Sequence, residues 1–492
     1  MPLRLFNTLS GKVEELRPLH GNEIRMYSCG PTVYDFGHIG NFRTFVVIDI
    51  LRRFLLQSGR KLNHVMNITD VDDKIIRNAA TAGVGVRQYA GKFEKAFLED
   101  AQVLGLQHPE KIVRATEHIQ QMAKFIAELE QKQFAYRAED GSYYFRIAKF
   151  PEYGKLSKKD FTGIEAGARV DMDEYEKDNA RDFALWKSPK PGEASWQTPI
   201  GSGRPGWHIE CSVMAMEYLG QTLDLHAGGE DLIFPHHENE IAQSEALTGK
   251  TFARHWMHVR FLLVEGEKMS KSLGNFYTLR DLVLQGHKPS SIRYLLASVP
   301  YRRQLNFTFD GLRQAAASVE RLRSFRDRVK ATNVTNENEQ VINLAREAKA
   351  KFIAALDDDL NTAEALGAVF EMVRVANAAI DAGRLGPLGA KEILGVLAHF
   401  DQIFDVMEDR DAPRIKLIAQ WAQAEGRELS QELQQELGAA EFKDSEIEAL
   451  IAERSAAKKS RDFARADSIR KNLAERGVIL EDTKDGVKWK RK

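Results

Sequence analysis

The apolar and polar positions of the N-terminal region follow two different periods. Residues 23–28 alternate as in a strand and run into a loop at residues 29–31. A helix is predicted from about residues 40–41, because apolar side chains then recur every three or four positions, at Phe42, Phe45, Val46, Ile50 and Phe54. A second strand is predicted over residues 61–69, and a second helix over residues 70–82. This order of strand, helix, strand and helix favours an α/β fold with a doubly wound parallel sheet.

The middle of the chain has a mixed pattern. Residues 86–133 have a helical period, and residues 135–147 predict a hairpin that turns at Asp140-Gly141. The polar stretch after the hairpin is interpreted as an insertion in the sheet domain. The sheet is then predicted to resume around residues 207–219 and 222–225.

Strand signals fade after Tyr294, and residues 310 to 407 have long helical periods that predict a helical bundle. Residues 410–445 are rich in charge and glutamine, and are predicted to form either a linker or a further surface helix. From residue 457 to the last residue the chain has twelve Lys or Arg and six Asp or Glu, interleaved with Phe463 and Trp489. Such a segment suits stacking on unpaired bases and contact with phosphates. A solvated helix with a frayed end explains the same composition.

The composition limits the possible classes of protein. A chain of 492 residues exceeds one hydrophobic core, so two to four domains are expected. The formal charge of −1 excludes a uniformly basic surface, so any nucleic-acid contact must use a local patch. Two distant cysteines indicate a reducing, cytoplasmic environment rather than a disulfide framework. Because no long uninterrupted apolar stretch occurs, we expect no contact with a membrane.

Both cysteines and one His/Glu pair are candidate metal ligands. A helix that begins after Pro235 places His236 and Glu240 four residues apart, about 6 Å along the axis and on one face. Together with Cys29 and Cys211 they would complete a zinc site of borderline-soft character. The His/Glu pair is also compatible with an ordinary solvated helix face, since spacing does not show that the four residues converge.

Two further segments suit phosphate binding. The loop that contains His38, Gly40 and Asn41 leads from a predicted strand to a helix N-terminus, where free backbone N–H groups attract anions. Far downstream, Lys268 and Lys271 lie in a turn-rich segment that could hold a polyphosphate. A solvated charged loop is the alternative for this segment alone.

Seven segments, taken in order over nearly the whole chain, resemble the bacterial-type cysteinyl-tRNA synthetase family of class I aminoacyl-tRNA synthetases: CGPTVYDFGHIGNFRT, NITDVDDKII, YGKLS, DFALWK, GRPGWHIECS, GGEDLIFPHHENE and KMSKSLGN. HIGN stands where class I enzymes have HIGH, with Asn41 in the place of the second histidine, as is usual in the cysteinyl branch. One departure is KIIR at residues 74–77, where some members have KIIK.

The resemblance implies a ligase that condenses L-cysteine with ATP to cysteinyl-adenylate and passes the cysteinyl group to the 3'-terminal adenosine of tRNA(Cys). It implies one Zn²⁺ per chain, with Mg²⁺ carried by the ATP. The implied zinc ligands are Cys29, Cys211, His236 and Glu240. The residues implied near the substrate are Gly30, Thr69, Trp207 and His226. The residues implied to bind ATP and to act in catalysis are His38, Asn41, Lys268 and Lys271.

The resemblance also implies a domain order, in which a Rossmann-type catalytic domain with an insertion precedes a helical bundle and a small anticodon-binding region. The expected parts are the first catalytic half (1–120), the connective insertion (121–200), the second catalytic half (201–260), the KMSKS loop and stem-contact region (261–310), the helical bundle (311–410) and the C-terminal anticodon-binding region (411–492). A monomer is expected. Because all phosphate and metal motifs precede residue 276, removal of residues 411–492 is expected to impair tRNA charging without affecting adenylation.

Two other functions remain open at this point. A cysteine ligase of the same fold that acts on an amino sugar would share the zinc and nucleotide motifs, but would lack a long C-terminal region. A zinc-stabilised RNA-binding protein without catalysis would use the four ligands structurally. The intact HIGN and KMSKS segments favour catalysis over this second alternative.

Overall fold

The computed structural model describes residues 2–159, 169–170, 182–190, 192–335, 337–430, 433–434, 444–483 and 486–491. Its helices are α1 (Ile39–Gln57), α2 (Asp73–Thr81), α3 (Val86–Val103), α4 (Ile119–Gln131), α5 (Trp207–Leu219), α6 (Glu238–Thr248), α7 (Leu279–Leu284), α8 (Pro289–Ser298), α9 (Phe309–Lys330), α10 (Glu339–Asp357), α11 (Thr362–Asp381), α12 (Pro387–Phe404), α13 (Asp411–Ala424), α14 (Asp444–Lys459) and α15 (Phe463–Glu475).

The strands are β1 (Arg4–Asn7), β2 (Lys12–Glu15), β3 (Glu23–Ser28), β4 (Lys61–Ile68), β5 (Lys111–Arg114), β6 (Ala135–Arg137), β7 (Tyr143–Phe145), β8 (Arg169–Val170), β9 (Asp182–Lys187), β10 (Trp196–Thr198), β11 (Gly201–Pro205), β12 (Leu223–Gly229), β13 (Ala253–Val259), β14 (Leu262–Val264), β15 (Glu267–Lys268), β16 (Leu305–Phe307), β17 (Val478–Thr483) and β18 (Gly486–Arg491). Among the described residues, no helix is both long and apolar enough to cross a bilayer.

A parallel five-stranded sheet forms the centre of the catalytic half, in the order β13-β12-β3-β4-β5. The chain proceeds from β3 to β4 on one side and later enters β12 on the other side of β3. The strand order therefore reverses beside β3, and loops at the carboxyl ends of β3 and β12 leave a crevice there. Cys29 follows β3 directly, at the mouth of this crevice.

Helix α1 packs against this sheet for a reason visible in its sequence. Its apolar residues at helical spacing are buried, including Phe42, Val46, Ile50 and Phe54. Burial of one such aliphatic or aromatic side chain contributes roughly 1.5–3 kcal/mol, so the stripe fixes the helix axis on the sheet. The N-terminus of α1 is thereby held at the same edge of the sheet as Cys29.

The inserted layer is a mixed sheet in the order β10-β11-β9-β7-β6, with β8 paired to β9. The predicted hairpin is confirmed, because Ala135 pairs antiparallel with Phe145 across the Asp140-Gly141 turn. Part of the predicted insertion, residues 160–168 and 171–181, lies outside the described residues.

The C-terminal half is helical, as predicted, with four long helices α9–α12 that share the core of the catalytic half. Residues 411–424 form the helix α13, whereas residues 431–432 and 435–443 of the predicted linker lie outside the described residues. Beyond them, the last two helices and the β17–β18 hairpin surround a small core of their own, formed by Ile447, Ile469, Leu473, Val478 and Leu480.

Two predictions from the sequence pattern are wrong. The stretch 86–133 is not helical throughout, because β5 (Lys111–Arg114) interrupts it and forms the edge of the central sheet. Residues 207–219 are not sheet but the helix α5, which is buried on most sides. Its polar residues His208, Glu210 and Ser212 are buried together with its apolar residues, so the sequence shows no separate polar face and the helical period is hidden.

Candidate functional site

The four predicted zinc ligands converge. Cys29, Cys211, His236 and Glu240 are buried, and their potential ligand atoms all lie within 4.8 Å of one another. The Sγ atoms of Cys29 and Cys211 are 3.9 Å apart, and Nε2 of His236 lies 3.1 Å from Oε1 of Glu240. The two thiols are free cysteines, not a disulfide.

Four segments of the chain position these side chains. Cys29 follows β3, and Cys211 lies in the first half of α5. His236 belongs to a wide helical turn over Ile233–His237, and Glu240 lies one turn further on in α6. The prediction that the His/Glu pair shares one face is therefore confirmed, and the solvated-face alternative is wrong because both side chains are buried.

Further histidines surround the cluster. His226 on β12 contacts Glu240 through Nε2 at 2.8 Å from Oε2. His237 places Nε2 at 3.2 Å from Sγ of Cys29, while its Nδ1 lies 2.8 Å from Nε2 of His258. As a result, Cys29, His226, His237 and Glu240 form a second possible metal-binding quartet that shares two members with the first.

The charges of the cluster depend on one another. Burial would lower the pKa of His236, but the neighbouring Cys211 and Glu240 raise it to about 10. Burial would raise the pKa of Glu240, yet His226 and His236 beside it lower that pKa to about 2. Burial would likewise raise the pKa of Cys211, but the hydrogen bond with Cys29 and the charge of His236 lower it to about 6. The site therefore favours an anionic Cys211 and an anionic Glu240 even before a cation is added, whereas burial and the neighbouring Cys211 and Glu240 raise the pKa of the Cys29 thiol well above its usual range.

The geometry fits Zn²⁺. Two thiolates on one tetrahedral zinc, each at about 2.3 Å, would be about 3.8 Å apart, close to the 3.9 Å between the two Sγ atoms. The first quartet combines two sulfurs with one nitrogen and one oxygen, a donor set that suits zinc. His226 then holds the outer oxygen of Glu240, which is the usual way a ligating carboxylate is oriented.

The residues predicted near the substrate lie around this cluster. The ring centroid of Trp207 is 4.3 Å from that of His236. Thr69 donates its hydroxyl to Glu210 at 2.9 Å and accepts from Asn67 Nδ2 at 3.2 Å. The third predicted side chain, that of His226, belongs to the cluster itself.

Gly30 lies where no side chain fits. A Cβ at this position would be 1.7 Å from the carbonyl oxygen of Asn67. Its backbone N–H donates to Oδ1 of Asn67 at 2.9 Å, and the amide of Asn67 continues to Thr69. The Asn67 side chain thus helps to fix the loop that follows β3 to the loop that follows β4, together with two backbone hydrogen bonds between Thr69 and residues 31 and 33.

The HIGN loop ends in a cap for α1. His38 Nδ1 accepts the backbone N–H of Asn41 at 3.1 Å, and Asn41 Oδ1 accepts that of His38 at 3.1 Å. Burial lowers the pKa of His38 to about 4, so the ring is neutral near pH 7. Because Nδ1 accepts, the proton of the neutral ring is on Nε2. The N-terminus of α1 therefore presents the neutral Nε2–H donor of His38, while the backbone N–H groups of Ile39 and Asn41 are bound to Tyr277 and to His38 itself.

The KMSKS segment approaches this loop from β15. Lys271 lies 2.6 Å from Asp35, in the same loop as His38, and its ammonium is 5.2 Å from the ring centre of Phe276. The His38 ring contacts the same Phe276 at 5.2 Å between centroids. Lys268, by contrast, is exposed on β15. The structure therefore brings Lys271, but not the Lys268 side chain, against the HIGN loop.

Sequence reasoning missed several residues of the site. His237 was visible in the doublet of FPHHENE, and Glu210 stands beside Cys211 in GWHIECS. Asn67 and His208 likewise stand in the quoted segments NITDVDDKII and GRPGWHIECS, whereas no local pattern distinguishes His258, which joins the site only through the packing of distant elements.

Three family models match the chain. "tRNA synthetases class I (C) catalytic domain" covers residues 15–317, "DALR domain" covers residues 351–407, and "Cysteinyl-tRNA ligase anticodon binding domain" covers residues 444–489. The last match lies in the region that the amino-sugar ligase alternative would lack.

Curated relatives agree over the full length. The chain is 63% identical over 495 residues to a cysteine–tRNA ligase of Koribacter versatilis, and 58% identical over 494 residues to one of Solibacter usitatus; each alignment covers 100% of both proteins. Among solved structures, methionyl-tRNA synthetase of Mycobacterium tuberculosis, in complex with methionyl-adenylate, shares the fold with a TM-score of 0.58 and 15% identity, covering 82% of this chain and 91% of that chain.

The catalytic-domain match covers more than half of the chain, and the relatives align from end to end. The three models also follow the order of the folded parts, from the parallel sheet to the bundle and the small C-terminal core. The chain therefore belongs to the cysteinyl-tRNA synthetase family of class I aminoacyl-tRNA synthetases.

Proposed function

We propose that this cysteine–tRNA ligase first activates L-cysteine with ATP and then passes the cysteinyl group to the 3'-terminal adenosine of tRNA(Cys). The observation that carries the proposal is the convergence of Cys29, Cys211, His236 and Glu240 at the crevice, beside the loop that contains His38. A thiol-selective site and a phosphate-binding loop then meet at one edge of the sheet.

Cys29, Cys211, His236 and Glu240 would hold one Zn²⁺, and His226 and His237 would lie around them. A bound zinc ion would favour the thiolate of cysteine over the hydroxyl of serine or the methyl of alanine. A site whose buried partner is left unsatisfied by an analogue can discriminate by about 10⁴–10⁵ without editing. The protein's own part is to hold four anionic or neutral donors together in a buried place.

Around the proposed thiol site, three groups would hold the rest of the amino acid. Trp207 would cover the substrate beside His236, and Thr69 would hold a polar group of it. Gly30, next to Cys29, would present only its backbone to the substrate, since a side chain there would collide with the carbonyl oxygen of Asn67. The substrate carboxylate would then point toward the HIGN loop.

Activation needs no nucleophile from the protein. The carboxylate oxygen of cysteine attacks the α-phosphorus of ATP in line, and pyrophosphate leaves with the bonding electrons. Catalysis is then positioning and stabilisation of the developing charge. His38 Nε2–H, the amide of Asn41, and the ammonium groups of Lys268 and Lys271 would hold the phosphates, and Mg²⁺ would arrive bound to ATP.

The tRNA is proposed to contact the C-terminal region. Phe463 is 62% exposed and offers a ring for an unpaired base, whereas Trp489 packs against the small core. In the same C-terminal region, Arg461, Arg470 and Lys471 are exposed and can reach phosphates. Binding should weaken as salt rises, because each phosphate contact releases counterions.

The test is cysteine-dependent ATP–pyrophosphate exchange, measured before and after zinc is removed with a chelator. We expect exchange with cysteine but none with serine or alanine, loss of exchange after chelation, and recovery on addition of Zn²⁺. Equal exchange with serine would contradict selection by the metal. A protein that binds tRNA but shows no exchange with any amino acid would contradict the activation step.

A further inference from the structure

Trp421 lies on α13, outside the two C-terminal regions that the family models match, residues 351–407 and 444–489. It nevertheless reaches the nucleotide side of the catalytic half. Its ring contacts that of Phe36 edge to face, with 5.3 Å between centroids. Phe36 lies two residues before His38, in the loop between β3 and α1.

A buried arginine joins the two rings. The guanidinium carbon of Arg280 is 4.4 Å from the ring centre of Trp421 and 5.1 Å from that of Phe36. Arg280 is only 1% exposed, and it donates to Asp100 at 2.7 Å and to Glu99 at 2.8 Å. Its guanidinium is therefore held in place, and the rings of Trp421 and Phe36 lie against it.

Arg280 also stands beside the second nucleotide motif. It belongs to α7, which begins a few residues after the KMSKS segment. The residue before α7, Thr278, pairs with His38 in an antiparallel bridge, and the carbonyl of Tyr277 accepts the N–H of Ile39 at 3.0 Å. Through Phe36 and Arg280, the Trp421 ring therefore contacts both segments that meet at this bridge, the HIGN loop and the start of α7.

We propose that Trp421 is a positioning residue for the ATP site, acting through Phe36 and Arg280, so that α13 of the C-terminal half sets the geometry of the nucleotide loop. The inference rests on the proposed ATP-binding role of His38 and Lys271. The loop that contains His38 includes Gly37, and the contact of Phe36 with Trp421 adds a restraint two residues from His38, beside the cap of α1 and the bridge to Thr278.

The experiment uses the full-length, zinc-loaded protein without tRNA, and measures KM for ATP and KM for cysteine by pyrophosphate exchange. Trp421→Ala should raise KM for ATP about tenfold, as expected for loss of one desolvated cation–π contact and one aromatic pair. KM for cysteine should stay within about twofold, because the contact is with the nucleotide loop. Trp421→Phe, which keeps a ring for Arg280, should restore most of the ATP affinity.

Two further variants separate positioning from folding. Trp421→Leu keeps apolar volume without a π face, and should behave like Trp421→Ala even if the alanine variant is poorly folded. Ile418→Ala removes a buried side chain from the same helix and should lower Tm while leaving both KM values near those of the wild type. Equal effects of Ile418→Ala and Trp421→Ala on KM for ATP would overturn the proposal, as would an unchanged KM for ATP in Trp421→Leu.

A different experimental result would contradict the proposed function as a whole. If the wild-type protein shows no cysteine-dependent exchange, or if Lys271→Ala exchanges at the normal rate, the assignment of the ATP site is wrong. If the wild type exchanges, Lys271→Ala is slow and the Trp421 variants are normal, only the role of Trp421 is wrong.

Discussion

The ammonium of Lys271 lies 2.6 Å from the carboxylate of Asp35, which joins the KMSKS loop to the HIGN loop. Lys271 is largely exposed and Asp35 partly so, and the pair lies over the surface where the phosphates of ATP are proposed to bind. The hydrogen bond with Asp35 raises the pKa of Lys271, so the lysine is charged at neutral pH. If Lys271 binds ATP as proposed, it would exchange this carboxylate for a phosphate.

Replacement of Asp35 should therefore alter ATP binding. An exposed ion pair of this kind stabilises its geometry by at most about 1 kcal/mol. We expect Asp35→Asn to lower the dissociation constant for ATP up to about fivefold, because the competing carboxylate charge is gone. The dissociation constant can be measured by equilibrium binding of ATP in the absence of cysteine. Weaker binding in this variant would show that Asp35 orients Lys271 for ATP rather than competing for it.

Lys271 itself should matter most in the transition state. Negative charge grows on the phosphates as the carboxylate attacks, and a lysine placed there acts like one preorganised donor. Lys271→Ala should slow adenylation by roughly 10²–10³ in single-turnover kinetics. The matched control is Lys268→Ala, whose side chain is exposed on β15, and the comparison shows whether both lysines contribute. A normal adenylation rate in Lys271→Ala would remove its catalytic role.

The zinc assignment predicts a selective loss. Cys211→Ser should reduce zinc affinity by more than about 100-fold, the upper range for loss of an outer partner of a metal ligand. KM for cysteine should rise far more than KM for ATP, since the thiol site and the nucleotide loop are separate. Metal analysis and exchange kinetics provide the two measurements. Met216→Leu, which changes a partly buried side chain further along α5, is the control, and unchanged zinc content in Cys211→Ser would contradict the assignment.

Stability should fall in acid through buried histidines, of which His64 is the clearest case. Burial lowers the pKa of His64 from 6.5 to about 3, and its Nε2 lies 2.7 Å from the Ser28 hydroxyl. The stability due to the neutral ring is complete above pH 6.5 and is lost as the pH falls from 6.5 toward 3, at about 1.4 kcal/mol per pH unit.

The free energy of unfolding, measured by denaturant titration between pH 7.5 and 5, should show this dependence. His64→Gln should make the slope shallower. The control is His20→Gln, which changes an exposed ring. An unchanged slope in His64→Gln would mean that the ring is already charged in the folded protein.

Two truncations should separate the parts of the C-terminal half. A chain that ends at residue 443 loses the small core around Ile447 and Leu473 but keeps Trp421. We expect it to retain pyrophosphate exchange within about twofold and to lose most of its tRNA affinity. A chain that ends at residue 410 also loses Trp421, so its KM for ATP should rise.

This second expectation revises the one drawn from the sequence, that residues 411–492 can be removed without effect on adenylation. The motifs alone placed every nucleotide contact before residue 276, but the ring of Trp421 lies against Phe36. Equal exchange by both truncated chains would restore the original expectation.

The sequence by itself determined the parts of the molecule that depend on local order. The period of Phe42, Val46 and Ile50 gave the helix α1, and the His/Glu spacing gave one face for His236 and Glu240. The ordered motifs identified the family and its four candidate ligands. These features could be predicted from the sequence because helical spacing and glycine-rich turns depend only on residues a few positions apart.

The tertiary structure decided what distant segments share. Only the packing of β3, α5 and α6 brings the potential ligand atoms of Cys29, Cys211 and Glu240 within 4.8 Å of one another. The same packing adds His237, Asn67 and Glu210 to the site. The contact of Phe36 with Trp421 spans 385 residues of chain. No local period encodes such contacts, because they follow from how buried faces of separate elements fit together and not from the residues on either side of each one.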